Sequence, residues 1–227
     1  RLVVYEDSDF KQQAEKTFPC FKVEVGELTV NYNIAPTQNL TVLLNNGKYC
    51  YAHFGMIPSW AKNKKSMNIN ARSETLCEKK SFKDAFIQKR CLVVINGFYE
   101  WKEQDKVKIP YLIKPTRNSF FVLAGLYDEW YDNVSKQTIL SVALITTEPN
   151  EHIKIIHDRM PVIFEEKDWR TWLTSTSLTE LNDLLVPSSN EIMSSYKVNT
   201  IVNKISNNTK ACIEPSTIKS YVQQSLF

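Results

Sequence analysis

The chain has 227 residues, 43% hydrophobic and 11% aromatic, so it can build a substantial core and is not a disordered polypeptide. Its 28 basic and 25 acidic side chains leave a net charge of +3, which excludes polyanion binding by bulk charge alone and shifts that question to local clusters. No apolar run is long enough to span a bilayer and no signal peptide is recognisable, so a cytoplasmic protein without a membrane partner is expected.

Residues 2–5 read as a short strand, and Ser8 offers an N-cap to an amphipathic helix through Phe10, Ala14 and Phe18 that Pro19 stops. Two strand-like runs at 41–44 and 49–54 flank Asn45-Asn46-Gly47, a hairpin signal. Residues 81–88 suit a short helix with Phe82, Ala85 and Phe86 on one face. The pattern then turns β-rich, with strands expected at 91–95, 98–102, 111–114, 120–126 and 138–145 and a tight turn at Asn96-Gly97. Helices are expected at 150–156, 166–173 and 177–185, the first two separated by a strand at 161–164. The fold class is therefore α+β, with a mainly antiparallel, curled or barrel-like sheet core and peripheral helices. Scattered Gly and Pro and the absence of repeats favour one domain over 1–227 with a looser tail from 200.

Four polar segments at element boundaries carry the chemistry: Tyr32-Asn33-Ile34-Ala35-Pro36-Thr37, Asn68-Ile69-Asn70-Ala71-Arg72-Ser73-Glu74, Asn96-Gly97-Phe98-Tyr99-Glu100-Trp101 and Ile156-His157-Asp158-Arg159-Met160-Pro161. Glu100 alternates with Tyr99 and Trp101 on a strand, so it points away from both; it is either a proton shuttle with a raised pKa or a surface carboxylate. His157 is either an acid–base group oriented by Asp158 or a structural histidine, while His53 and His152 lack such company. Asn70 and Arg72 share one side of an extended segment, which suits a common ligand or a tie between loops. Trp60 is either a core anchor or a platform on which a base stacks. The runs Lys62-Asn63-Lys64-Lys65, Lys79-Lys80 and Lys89-Arg90 read first as solvated surface, though the first follows Trp60 directly.

The cysteines at 20, 50, 77, 91 and 212 form neither a disulfide framework nor zinc-ligand spacing, and Cys91 reads as a buried strand residue. Nucleotide-binding glycine loops, zinc-protease and serine-hydrolase motifs are all missing, so neither a metal nor a cofactor is expected.

In this order, the segments resemble the SOS response-associated peptidase family, joined by Gly55-Met56-Ile57-Pro58-Ser59-Trp60, Ala124-Gly125-Leu126 and Ile145-Thr146-Thr147. The resemblance runs from residue 1 to about 199. It implies an enzyme of DNA repair that senses abasic sites in single-stranded DNA, with replication-fork or junction DNA as a further partner class and a monomer as the working form. In such proteins an N-terminal Cys forms a Schiff base with the ring-opened sugar through its α-amine, and its thiol closes a thiazolidine. By the same resemblance Asn70, Glu100 and His157 are catalytic, and Arg1, Asn33, Pro36, Trp60, Arg72 and Arg159 contact DNA. The family begins Met-Cys-Gly-Arg, so Arg1 aligns with the fourth residue and the cysteine is expected ahead of Arg1. The resemblance leaves two other activities open: a thiol autopeptidase that trims its own N-terminus, and a non-covalent single-strand binder in a lineage without that cysteine.

Overall fold

The computed structural model describes residues 1–5 and 30–216. The helix expected from Ser8 to Phe18 lies outside the described residues. In chain order the strands are β1 (Leu2–Val4), β2 (Asn31–Ile34), β3 (Asn39–Leu44), β4 (Tyr49–Phe54), β5 (Asn70–Arg72), β6 (Arg90–Ile95), β7 (Gly97–Gln104), β8 (Val107–Pro115), β9 (Phe121–Asp132), β10 (Gln137–Thr147), β11 (Met160–Pro161), β12 (Ile163–Phe164) and β13 (Met193–Lys197). The α-helices are α1 (Lys83–Gln88), α2 (Glu151–Lys154), α3 (Glu166–Thr174) and α4 (Leu178–Asp183).

Five of these strands close a ring. β4 pairs with β3, β3 with β6, β6 with β9 and β9 with β10, all antiparallel, and a parallel pairing of β10 with β4 completes the circuit. Period-2 alternation explains why these sequences close: Val42, Leu44, Phe54, Cys91, Val93, Leu123, Val142 and Leu144 point into one buried cluster. The intervening residues, such as Leu92, Val94, Val122, Ala124 and Ala143, face outward onto Phe86 of α1, Trp172 of α3 and Leu181 of α4. Both faces are thus apolar, which is why β6 reads as a continuous hydrophobic run. Gly125 admits the tight interior, because a Cβ there would sit 2.6 Å from Cys91 Sγ.

A second, antiparallel sheet, ordered β13-β8-β7-β1-β2, leans on the barrel. Leu2, Val4, Ile34, Phe98 and Ile113 extend the barrel cluster. Its other face, with Val3, Tyr99 and Leu112, packs on Val198, Val202 and Cys212. The tail from 200 is therefore not loose as far as 216: Val202 and Cys212 are fully buried and 3-10 turns form at Thr200–Asn203 and Lys210–Cys212.

The Asn45-Asn46-Gly47 hairpin forms as expected, with Gly47 at φ +82°. Asn96-Gly97 is not a hairpin turn. β6 and β7 do not pair with each other; the chain changes sheets there, and the buried Asn96 side chain pins the corner by accepting from the Tyr5 N–H at 2.8 Å and donating to the Ser119 carbonyl at 3.0 Å. The β7–β8 hairpin instead turns at Asp105 and Lys106, whose φ values of 50° and 63° supply the left-handed geometry without glycine. The strand expected at 161–164 divides at Val162 into β11, on β10, and β12, on β9.

Arg90 is 3% exposed and has no carboxylate partner among the described residues. Its guanidinium donates to the carbonyls of Phe86, Ile87, Trp172 and Ser175, so the negative ends of α1 and α3 hold the charge.

Candidate active site

The site lies where the second sheet meets the barrel rim. β1 and β7 enter it side by side, in a register that pairs Leu2 with Phe98 and Val3 with Gly97. Gly97 is required here, because a Cβ would stand 2.6 Å from the Ile113 carbonyl oxygen. Beyond Gly97 the side chains alternate: Tyr99 and Trp101 pack toward Val202 and Cys212, and Glu100 turns the other way into a cavity of about 490 Å³.

Two further elements complete the cavity. β5 lies parallel to β10, with Leu144 opposite Asn70 and Thr146 opposite Arg72. Its alternation buries Ala71 and leaves Asn70 and Arg72 exposed on the cavity side. Asn150 caps α2 by accepting from the Ile153 N–H at 2.9 Å, and the buried Ile153 anchors the turn that leads to His157. β11 then returns the chain to β10. His157 Nε2 is thereby held 3.7 Å from Glu100 Oε2.

His157 Nδ1 faces both kinds of partner. The Arg159 N–H donates to it over 3.1 Å, so we assign the neutral ring its proton on Nε2, toward Glu100. The Asp158 carboxylate at 3.1 Å and the Arg159 carbonyl at 3.2 Å accept when Nδ1 is protonated. Nδ1 therefore has a partner in either state, and Nε2 stands free to exchange a proton. Glu100 has a side chain only 24% exposed, and burial raises its carboxyl above the ordinary glutamate value, with His157 opposing the shift when charged. A neutral carboxylic acid beside an imidazole can donate and recover a proton at one reacting atom.

Seven of the nine residues singled out in the sequence line this cavity: Arg1, Pro36, Asn70, Arg72, Glu100, His157 and Arg159. Asn33 does not. It is fully buried, its amide donates to the Val202, Lys204 and Asn207 carbonyls, and its oxygen accepts from Arg1, so it ties down the C-terminal segment and has no surface for DNA. Trp60 lies outside the cavity and is no core anchor; it is 48% exposed, with Lys80 Nζ 4.8 Å above its ring.

The three arginines are not equivalent. Arg1 donates to the Val202 and Asn203 carbonyls and stacks over Trp101 at 5.4 Å. Arg159 forms a bidentate pair with Glu74 at 2.7 and 2.9 Å and donates to the Thr146 carbonyl at 2.6 Å. Among the described residues the Arg72 guanidinium has neither a hydrogen bond nor an ion pair, which leaves its fork open.

Sequence reasoning missed Lys79, Phe82 and Thr146 in the cavity wall and Trp101, Lys108 and Asn203 around a second cavity of about 430 Å³. That second cavity shares Arg1, Glu100 and His157 with the first, so Glu100 and His157 stand where two openings meet. Lys79 was legible only as a charge run; that it faces the cavity while Lys80 covers Trp60 depends on the turn before α1. None of the four described cysteines lines either cavity. Among the described residues no group of His, Cys, Asp and Glu is placed to hold a metal ion, and no helix is long and apolar enough to cross a membrane.

A family profile described as SOS response associated peptidase matches residues 2–205. The Bacillus subtilis (strain 168) protein named abasic site processing protein YoqW is 40% identical over 197 residues, covering 83% of this chain and 88% of its own length. Abasic site processing protein HMCES of Xenopus tropicalis is 30% identical over 218 residues, covering 81% of this chain and 65% of that protein. A crystal structure of a Bacteroides thetaiotaomicron protein shares the fold with a TM-score of 0.82 at 25% identity, covering 94% of this chain and 98% of that one. Matched over nearly its whole length, this chain belongs to the SOS response associated peptidase family.

Proposed function

We propose that this protein processes abasic sites in single-stranded DNA by forming a reversible covalent link to the ring-opened sugar. The nucleophile is a cysteine in a Met-Cys-Gly segment ahead of Arg1. The observation that carries this reading is the register of β1 against Glu100 and His157. The Tyr99 N–H donates to the Arg1 carbonyl at 2.8 Å, and the same pairing extended by one residue sets a preceding residue opposite Glu100. A glycine and cysteine there bring an amine and a thiol to the acid–base pair.

The chemistry balances with these groups. The cysteine amine adds to the sugar aldehyde carbon, the oxygen takes a proton from Glu100, and the nitrogen returns one of its own to the carboxylate. Loss of that hydroxyl as water, with this proton from the Glu100–His157 pair, leaves a protonated imine. The thiol sulfur then bonds to the same carbon, the C=N electron pair moves onto nitrogen, and the thiol proton returns to the carboxylate, so one water is released overall. Asn70 orients the sugar, Arg72 receives a flanking phosphate through its open fork, and Trp60 and Pro36 pack against splayed bases. The meeting of two cavities at Glu100 suits a strand that continues on both sides of the reacting sugar. Arg1 and Arg159 act mainly as struts, because protein carbonyls and Glu74 already engage their terminal guanidinium nitrogens.

The register also favours a second reading, self-trimming of the residue ahead of the cysteine, since that peptide bond runs past the same pair. It predicts cleavage in cis and no turnover of an unrelated peptide. The deciding experiment is a denaturing gel with single-stranded DNA carrying one abasic site, using the chain preceded by Met-Cys-Gly. A heat-stable shifted band is expected and disappears when the added cysteine is replaced by Ala; no band from either protein removes the covalent mechanism.

A further inference from the structure

We infer that Glu74 is a positioning residue for His157, acting through Arg159 and without touching the substrate. Glu74 sits in the 3-10 turn Ser73–Thr75, directly after the strand that carries Asn70 and Arg72. Its two carboxylate oxygens accept from Arg159 Nη1 and Nη2 at 2.7 and 2.9 Å, a fork-to-fork geometry that fixes direction as well as distance. The third anchor of that guanidinium is the Thr146 carbonyl at 2.6 Å, on the strand that pairs with Arg72. The Arg159 side chain is thus clamped between β10 and the turn after β5, and its own backbone N–H is the donor that meets His157 Nδ1 at 3.1 Å.

The consequence concerns the ring's proton. With Nδ1 accepting from the Arg159 N–H, the neutral imidazole carries its hydrogen on Nε2, the nitrogen facing Glu100. Once Arg159 loses its clamp, Nδ1 can instead donate to the Asp158 carboxylate or the Arg159 carbonyl, both within 3.2 Å. That tautomer presents a bare Nε2 to Glu100 and cannot pass a proton to it. Glu74 therefore selects which tautomer works, and it couples the sugar-orienting segment to the acid–base segment through one ion pair. Glu74 itself is half exposed, and the bridge from Arg159 holds its carboxyl below the ordinary value.

The kinetic part of this inference rests on the covalent reaction proposed above; the tautomer part does not. The test is Glu74→Gln, which is isosteric and removes the charge, beside Glu74→Asp, which keeps it. With the Met-Cys-Gly-preceded protein, Glu74→Gln is expected to slow link formation about tenfold, with no loss of affinity for undamaged single-stranded DNA, and Glu74→Asp to recover part of the rate. In a His157→Ala background Glu74→Gln should add no further loss. In the free protein, ring-nitrogen NMR shifts of His157 should move from the Nε2–H form toward a mixture in Glu74→Gln. An equal slowing in the His157→Ala background, or an unchanged His157 tautomer, overturns the inference. If no variant and no parent protein forms a link, the covalent reading fails, and the NMR shifts still decide the role of Glu74.

Discussion

Replacing Glu100 with Gln tests both halves of the proposed mechanism at once. The change keeps the size of the side chain and one acceptor oxygen while removing the proton that Glu100 gives and takes. General acid–base groups typically contribute about 10²–10⁴-fold. His157 Nε2, 3.7 Å away, remains able to carry some of the proton traffic, which places the loss at the lower end. We expect about 10²-fold in the single-turnover rate of link formation, or about 2.7 kcal/mol at about 1.36 kcal/mol per decade. The assay is the denaturing gel with one abasic site, sampled over time, beside fluorescence anisotropy on undamaged single-stranded DNA, where affinity should stay within about twofold because Glu100 forms no phosphate contact. Stability should move the other way. Burial raises the folded-state pKa of Glu100 above its unfolded value, so the stability linked to its protonated form is full at acid pH and is lost as pH rises through the folded value. Gln has no such pH dependence, so Glu100→Gln should melt at a higher temperature than the parent near neutral pH, with the gap closing in acid. A variant that links at the parental rate, or that melts lower at neutral pH, would refute the assignment of a buried, proton-exchanging carboxyl.

Arg72→Ala should weaken single-strand binding and reduce the slope of log affinity against log salt by about 0.7, the release expected for one phosphate contact on a single strand; titrations at several salt concentrations check this. Trp60→Ala should cost about 1–3 kcal/mol of DNA affinity if one base stacks on the exposed ring, and melting should be unchanged because the side chain is 48% exposed and outside the core. Gly97→Ala should destabilise the fold by about 1–3 kcal/mol, measured by urea unfolding, since the added carbon meets the Ile113 backbone carbonyl at 2.6 Å and neither strand can yield cheaply.

Local patterns carried much of the architecture. Apolar, β-branched runs marked β3, β4, β6, β9 and β10, because each must bury one set of side chains in the barrel and the other under helices. α3 and α4 were legible from their caps and apolar faces, with Ser177 accepting from Glu180 N–H as its position before α4 suggests. β2 and β13 were not. They have four and five residues and owe their extended form to neighbours distant in sequence. The Asn96-Gly97 signal was misleading for the same reason: asparagine and glycine permit a hairpin, yet the Val3 carbonyl accepting from the Asn96 N–H and the Ser119 carbonyl accepting from its amide make the chain change sheets.

Sequence alone determined which functional groups this protein owns: a carboxylate flanked by aromatic residues, a histidine before Asp and Arg, and an Asn and an Arg two residues apart. It also determined that Asn70 and Arg72 share a side, and that Glu100 turns away from Tyr99 and Trp101, because both facts follow from the two-residue period of a strand. Only the tertiary structure decided which groups meet. It joined Glu100 to His157, buried Asn33 away from any ligand, closed Arg159 onto Glu74 and left Arg72 open. Those outcomes depend on pairings between segments tens of residues apart, where register and crossover are set by packing of the whole core and no local pattern can specify them.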